Sequence, residues 1–402
     1  MGIKKLQKTC FDEIKRHRLA VISDQALTLP LDDQRRMAYL ARYGDLCVRQ
    51  LILGTAHHLV PLHSEEFQIA VQRSFGVPLK CLESYEGVRI RNNPNCPQLD
   101  VDKWGNTLQT AQGAKGDDTR TLHDAFVAAV AYSLRSAQIK FRGGGNGNRS
   151  CAHIFSDLLF LCTGDSEKER LLNGIIAGLS VDLSDAGSSD FLDGEMPTTL
   201  FDQVRTLLDA KTLACGGTYK GLIPEGDLDS PATRAKFPAE VRAAKVTKDY
   251  YKVARKLDQK YHGTQPGTIG PIEARLREYG KPDEHSVSGL VLGAFGELST
   301  DCYSLAYAIA RVKAIKYLSY LDIKLKNASA LHKQAVLRLW GLTAQRGWAR
   351  LILNRLRGLV VLAEPPDAPE GDPDADAHDH HNFSPRQRGV CQIRYRLWLA
   401  RW

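Results

Sequence analysis

The chain has 402 residues, of which 43% are apolar and 25% charged, and it carries a net charge of +8. This is enough for two or three domains with a full hydrophobic core, and the charge permits an anionic partner without requiring one. The nine cysteines are scattered, without C-x₂-C pairs, which is typical of a reducing compartment. No run approaches the roughly eighteen apolar residues of a membrane helix, and the first residues lack a signal core. We therefore expect a nuclear or cytoplasmic protein that is neither secreted nor membrane-bound.

The first third of the chain is predicted to be mostly helical. Residues 1–83 show helical periodicity, whereas residues 84–121 lose it and gain Asn, Pro, Gly and Asp, which indicates a loop-rich connector. A helix returns over Leu122–Gln138, with Phe126, Val130 and Leu134 on one stripe.

The middle of the chain has an α/β pattern. Strands are predicted around Ile175–Val181 and Arg205–Leu213, followed by a long helix over Ala239–Tyr261. A buried strand is predicted at Val287–Phe295, and further helices follow, the last over Ala328–Leu359. We expect an α/β fold for this part of the chain.

The triplet Asp209-Ala210-Lys211 lies on the second of these predicted strands. Side chains two residues apart on a strand point to the same face, so Asp209 and Lys211 project together. Asp190, nineteen positions upstream, is predicted to reach the same place from a preceding strand, with Asp193 as the alternative. Carboxylates suit Mg²⁺, which prefers oxygen ligands and keeps waters, and a nearby lysine can position the attacking water. The pattern fits a metal-dependent nuclease, but a solvated ion pair at a strand edge has the same sequence.

The long predicted helix has a basic face. Tyr250, Ala254, Leu257 and Tyr261 form its apolar side, and the opposite side carries Lys245, Lys248, Lys252 and Arg255. This stripe is either a solvated polar face or a contact surface for the phosphate backbone of a nucleic acid.

The segments that follow the last predicted helix have biased compositions. Residues 362–385 are mostly acidic residues, Pro, Ala and His, which predicts a disordered linker. Residues 386–402 interleave arginines with aromatic residues, a composition that suits nucleic-acid contact.

Several segments, in order, resemble the C-terminal restriction-endonuclease-like region of non-LTR retrotransposon polyproteins. Ser189-Asp190-Phe191 and the Asp209-Ala210-Lys211 triplet resemble its P-D and (D/E)-x-K elements. The other similar segments are residues 59–62, 66–79, 96–105, 120–124, 263–267, 270–273 and 289–297.

The resemblance implies a restriction-endonuclease-like α/β fold, with a mixed sheet flanked by helices, additional N- and C-terminal helical segments and a Mg²⁺ or Mn²⁺ site. Asp190, Asp209 and the carbonyl of Ala210 would hold the ion, Lys211 would position water, and the basic stripe would hold DNA, or RNA. The resemblance spans roughly residues 50–360. Together with the composition it divides the chain into a helical segment (1–83), a connector like a zinc knuckle (84–121), the endonuclease-like domain (122–327), C-terminal helices (328–361), the acidic linker (362–385) and the basic tail (386–402).

The chain departs from that family in three respects. Ser189 stands where the family has Pro, and Asp209 stands where it usually has Glu, while Lys211 is retained. Of the knuckle ligands only Cys96 and His123 remain, and two ligands cannot complete a tetrahedral site, so no zinc is expected. No Y-x-D-D polymerase motif occurs, so we expect no polymerase activity and a detached, partly decayed fragment of the larger protein. Three hypotheses remain: an active DNA-nicking endonuclease, an inactive nucleic-acid-binding module of the same fold, and an unrelated structural α/β protein.

Overall fold

Helices outnumber strands in the computed structural model of the chain, which describes ten stretches of it. They are residues 3–41, 60–90, 99–111, 117–142, 179–182, 205–216, 219–220, 230–277, 287–321 and 323–362. Residues 1–359 form one compact unit, and residues 360–402 form a second, of which only the first three are described.

The helices within these stretches are numbered in chain order. They are α1 (Ile3–Thr28), α2 (Gln34–Ala41), α3 (Ser64–Ser74), α4 (Asn106–Thr110), α5 (Asp117–Ser136), α6 (Pro231–Arg234), α7 (Pro238–His262), α8 (Pro271–Arg277), α9 (Thr300–Leu321) and α10 (Leu325–Leu362). A 3₁₀ turn spans Lys80–Tyr85. The strands are β1 (Arg89–Ile90), β2 (Leu99–Asp100), β3 (Lys140–Arg142), β4 (Leu179–Asp182), β5 (Arg205–Thr212) and β6 (Val287–Leu292).

A four-stranded mixed sheet lies in the order β3-β4-β5-β6. β3 and β4 are antiparallel, as are β4 and β5, whereas β5 and β6 run parallel. Parallel neighbours need a crossover connection, and α7 lies in the one between β5 and β6. The predicted mixed α/β class is confirmed at this level.

The two faces of β5 are covered by different helices. Asp209 is the register partner of Gly289 on β6, and a Cβ atom on Gly289 would lie 2.7 Å from the Ala243 Cα atom of α7. Residue pairs in register share a face, so Asp209 lies on the face that α7 covers. Leu208 and Ala210 point the other way and are also buried, which requires a second layer. Contacts of α5 with β5 and of α9 with β6 provide it.

α7 has the two faces that the sequence predicts. Tyr250, Ala254 and Leu257 are buried against residues of α8 and β6, whereas the lysines of the basic stripe are exposed. The helix begins at Pro238, where the N–H that proline lacks would have no acceptor within the helix. It ends before Gly263, whose φ of 61° lies in the left-handed region that glycine adopts without strain.

Segments that are far apart in the sequence share one core. Residues of α3, the 3₁₀ turn and α4 pack against Ala349, Ile352 and Leu356 of α10. The stretch predicted to be a loop-rich connector contributes β1, β2 and α4 to this core. Contacts therefore cross the predicted boundaries between segments 1–83, 84–121 and 328–361.

Some predicted elements differ at their ends. The helix predicted from Leu122 begins at Asp117, and the last strand ends at Leu292 rather than Phe295 because residues 293–296 form a tight turn around Gly296, whose φ is 85°. β3 has no counterpart in the prediction. The acidic linker, beyond its first residue, and the basic tail lie outside the described residues.

Arg73 of α3 ties three parts of the chain together. The residue is 2% exposed, and its guanidinium donates to the carbonyl oxygens of Trp104 at 2.8 Å and Ala294 at 3.1 Å. The same group lies over the ring of Phe295, 5.4 Å from its centroid. Burial lowers the pKa of Arg73, because it removes the charged guanidinium group from water.

We expect Arg73→Ala to lower the free energy of unfolding by about 3–5 kcal/mol. The change leaves a cavity and two carbonyl oxygens that lose their charged donor. Arg357→Ala is the matched control: its side chain is 71% exposed and 3.8 Å from Glu65, so about 1 kcal/mol or less is expected. Urea unfolding of both variants measures the difference, and equal losses would contradict the linking role of Arg73.

Candidate functional site

Asp209 and Lys211 form an ion pair on the α7 side of β5. Lys211 Nζ lies 3.0 Å from Oδ1 and 2.8 Å from Oδ2 of Asp209, with good hydrogen-bond geometry toward Oδ1. The Asp209 side chain is 2% exposed, whereas that of Lys211 is 32% exposed. The pair therefore extends from the buried sheet surface toward solvent, as the alternation of strand side chains predicts for these two residues.

Burial dominates the electrostatics of Asp209. It raises the pKa of this carboxyl group, and the attraction and hydrogen bond of Lys211 oppose the rise. His123 and Tyr250 make smaller opposing contributions. A carboxyl group with a raised pKa and one charged partner is a frequent feature of functional sites, although structural ion pairs share it.

The backbone of Ala210 points away from β6. Leu213 donates its N–H to the carbonyl oxygen of Leu292 on β6. Alternate residues of a strand direct their backbone N–H and C=O groups to the same side, so those of Lys211 and Asp209 also point to β6. The backbone groups of Ala210 therefore point toward β4. β4 begins at Leu179, which pairs with Leu208, so the described part of β4 stops short of Ala210. The Ala210 carbonyl oxygen thus takes no part in the described strand pairing.

An imidazole side chain hydrogen-bonds to this carbonyl group. His123 Nε2, from α5, lies 2.9 Å from the oxygen of Ala210, and its Nδ1 lies 3.3 Å from Oδ1 of Asp124. A carbonyl oxygen only accepts hydrogen bonds, so Nε2 carries the proton. The His123 side chain is 37% exposed and thus reaches solvent beside the triplet.

The structure thus places His123 beside the triplet. The resemblance paired His123 with Cys96, which lies outside the described residues. The expectation that no zinc is bound stays a prediction.

The other predicted carboxylates, Asp190 and Asp193, also lie outside the described residues. On the described part, β4 ends at Asp182, whose partner is Arg205, four residues before Asp209 on β5. The role of Asp190 as a metal ligand, with Asp193 as the alternative, stays a prediction.

β5 offers two oxygen atoms of the type that Mg²⁺ or Mn²⁺ prefers. One is Asp209 Oδ2, which is buried and accepts no hydrogen bond of good geometry from a described residue. The other is the carbonyl oxygen of Ala210. In the described stretches no three His, Cys, Asp or Glu side chains are grouped to hold a metal ion. The two oxygens fit such an ion in chemistry and need a further ligand, for which Asp190 is the predicted residue.

The basic stripe lies on the side of α7 that faces away from the sheet. Its four members stand about 140–160° around the helix from Tyr250, which is buried against the sheet. Lys245, Lys248 and Lys252 are exposed and have no ion-pair partner among the described residues. The stripe and the Asp209–Lys211 pair are therefore on opposite sides of α7.

Arg255 is engaged within the protein. Its guanidinium donates two hydrogen bonds of 3.0 Å to the buried carboxylate of Glu273, which Arg277 also contacts at 2.8 Å. These bonds lower the pKa of Glu273 against the opposing effect of burial. The prediction of Arg255 as a phosphate contact is therefore less consistent with the structure than that of the three lysines.

The sequence pattern gives Tyr250 no site role, and the family resemblance gives His123 only the role of a remaining zinc-knuckle ligand. A signal for His123 was present: it precedes Phe126, Val130 and Leu134 by three, seven and eleven residues and so extends their stripe by one helical turn. Tyr250 was placed on the apolar face of its helix, but only the register of α7 on the sheet brings it near Asp209.

Comparison with known proteins finds no matching family model, no matching curated protein and no matching solved structure. Among the described helices, none is both long and apolar enough to cross a membrane. The family resemblance therefore rests on the sequence segments alone.

A half-buried carboxyl group lies next to β6. Asp301, near the start of α9, accepts the N–H of Gly289 at 2.8 Å. Burial raises its pKa to about 6, the N–H of Gly289 opposes the rise, and the nearby charge of Glu240 adds to it. Glu240 itself accepts hydrogen bonds from the N–H and hydroxyl of Thr300 at 2.6 and 2.8 Å.

We expect Asp301→Asn to be more stable than the native chain at neutral pH. The folded protein binds the Asp301 proton more tightly than the unfolded chain, so native stability falls by about 2–3 kcal/mol as the pH rises from about 4 to 7. Asparagine keeps an acceptor for Gly289 and carries no charge, so this loss should vanish. Urea unfolding at pH 4.5 and 7.5 checks it, and the same pH dependence in both proteins would contradict the assignment.

Proposed function

We propose that this chain is a Mg²⁺-dependent endonuclease with a restriction-endonuclease-like core, which nicks DNA by hydrolysing a phosphodiester bond. The observation that carries the proposal is the placement of Asp209, Ala210 and Lys211 on β5. There the acidic and basic side chains share one face, and the carbonyl group between them lies outside the described strand pairing.

The architecture supports the proposal beyond the triplet itself. β5 is an interior strand of a mixed sheet, with an antiparallel neighbour on one side and a parallel neighbour on the other. Helices cover both faces of this sheet. A mixed sheet flanked by helices, with D-x-K on a strand, is what the resemblance to retrotransposon endonucleases implies.

The residues of the site divide the chemistry between them. Asp209 and the Ala210 carbonyl would hold the ion together with Asp190, and the bound Mg²⁺ supplies polarisation of the phosphoryl oxygen and a more acidic water. Lys211 lies at the solvent-exposed end of its ion pair, where it can hold a water molecule and offset phosphate charge. The buried surroundings of Asp209 exclude bulk water, which strengthens its attraction for a cation.

The buried state of Asp209 favours a second candidate function. Its carboxylate is 2% exposed, already paired with Lys211 and covered by α7. A cation would have to compete with the Lys211 ammonium for this group. A catalytically inactive nucleic-acid-binding module of the same fold would keep this closed ion pair and use the exposed lysines of α7.

We expect the native chain to nick supercoiled plasmid DNA with Mg²⁺, and Lys211→Met to reduce the rate by about 100-fold or more, because water positioning in the transition state is lost. Lys326→Met, at an exposed lysine of α10, is the matched control and should nick at the native rate. Circular dichroism verifies that all three proteins are folded.

The outcomes separate the two candidate functions. Equal nicking by the native chain and Lys211→Met would exclude Lys211 from catalysis. No nicking by the native chain, together with retained DNA binding, would favour the inactive binding module.

We expect the basic stripe to contribute to DNA affinity. Changing Lys245, Lys248 and Lys252 to Gln should weaken binding and reduce the slope of log affinity against log salt by about 2–3, since each lost phosphate contact removes about one unit. The control changes Lys80, Lys324 and Lys326 to Gln, which alters the net charge equally. Fluorescence anisotropy at several salt concentrations measures both, and equal slopes would exclude the stripe as the contact surface.

A further inference from the structure

We propose that His123 is a positioning residue of the Asp209-Ala210-Lys211 site, which holds the Ala210 carbonyl oxygen in place for a divalent cation. This inference rests on the proposed function and adds to it a residue of α5 that the D-x-K pattern does not contain. The juxtaposition that supports it is the 2.9 Å contact between His123 Nε2 and the Ala210 oxygen.

The apolar stripe of α5 explains why His123 lies at the sheet. Phe126, Val130 and Leu134 are fully buried on one stripe of α5, and His123 occupies the same stripe one turn earlier. The helix contacts β5, so a residue at this position faces the strand. A further apolar residue there would leave the Ala210 carbonyl without this donor.

The imidazole suits this position because its Nε2–H donates to the Ala210 carbonyl group at 2.9 Å. With the proton on Nε2, the neutral ring carries no proton on Nδ1, so the 3.3 Å approach to Asp124 Oδ1 is a hydrogen bond only when the ring is doubly protonated. Ala210 in turn has no strand partner on that side among the described residues, so His123 is its described hydrogen-bond donor.

A carbonyl oxygen has two lone pairs, and His123 occupies one of them. The second remains for a cation, with Asp209 as the adjacent ligand. Replacing a group that holds a metal ligand by a hydrogen bond typically lowers the metal affinity by about 10- to 100-fold. His123 should therefore affect metal binding without contacting the metal.

A purely structural bond between α5 and β5 is the alternative explanation of the same contact. It predicts that the loss of His123 lowers stability and leaves metal affinity unchanged in the protein that remains folded. The two explanations are separated by a variant that keeps the N–H donor. The amide nitrogen of glutamine can replace Nε2, whereas alanine removes the donor.

The test measures binding of Mn²⁺ alone to the full chain by isothermal titration calorimetry, without DNA, and thermal unfolding without metal. The proteins are native, His123→Ala, His123→Gln, Asp209→Asn and His17→Ala, the last an exposed histidine of α1 as the matched control. We expect His123→Ala to bind about tenfold more weakly, His123→Gln to stay within about threefold of native, Asp209→Asn to lose binding, and His17→Ala to bind like native.

Each contrary result would overturn either the positioning role of His123 alone or this role together with the proposed metal site. Native-like affinity in folded His123→Ala, or equal losses in His123→Ala and His123→Gln, would overturn the positioning role and leave the proposed function standing. Tighter binding by His123→Ala would also overturn it, since the imidazole would then compete with the ion. Absence of binding to the native chain, or native-like binding by Asp209→Asn, would overturn the proposed metal site together with this inference.

Discussion

The backbone of residues 287–299 is buried along its whole length, and the rest of the fold is organised around satisfying its hydrogen bonds. Buried N–H and C=O groups without partners are costly, so β6 and the turn that follows it need donors and acceptors from elsewhere. β5 supplies the ladder on one side. On the other side and at the turn some partners are backbone groups, as in the bonds from the Ser299 N–H to the Val291 carbonyl and from the Gly293 N–H to the Glu297 carbonyl. Other partners are side chains: Arg73, Tyr219, Thr247, Glu297, Ser299, Asp301, Gln345 and Trp348.

This requirement also determines the geometry of the candidate site. The parallel register of β5 on β6 places Asp209 opposite Gly289, and the absence of a side chain at Gly289 lets α7 approach closely over both. Asp209 is buried as a result, and Lys211, two residues further along, reaches solvent. The two candidate functions therefore differ in what binds the Asp209 carboxylate. Metal-dependent catalysis requires a divalent cation to bind this group in competition with the Lys211 ammonium, whereas nucleic-acid binding by the lysines of α7 requires no cation there.

Local patterns predicted the parts of this site that depend on one element. The alternation of strand side chains placed Asp209 and Lys211 on one face, and the helical period separated the buried face of α7 from its lysines. Local patterns failed where a residue's partner is distant in sequence. Arg255 belongs to the basic stripe by spacing, yet it binds Glu273, eighteen residues away, because α8 folds back along α7. His123 likewise bonds to Ala210, which is 87 residues away.

The sequence by itself determined the α/β class, the strand that carries Asp209-Ala210-Lys211 and the amphipathic faces of α5 and α7, because these follow from periodicities of 2.0 and 3.6 residues. Only the tertiary structure decided that Asp209 is buried under α7, that the basic stripe faces away from it and that His123 contacts the Ala210 carbonyl. Burial and hydrogen-bond partners depend on which elements pack together. That packing is set by strand order, register and close approaches such as Ala243 on Gly289, which no local pattern encodes.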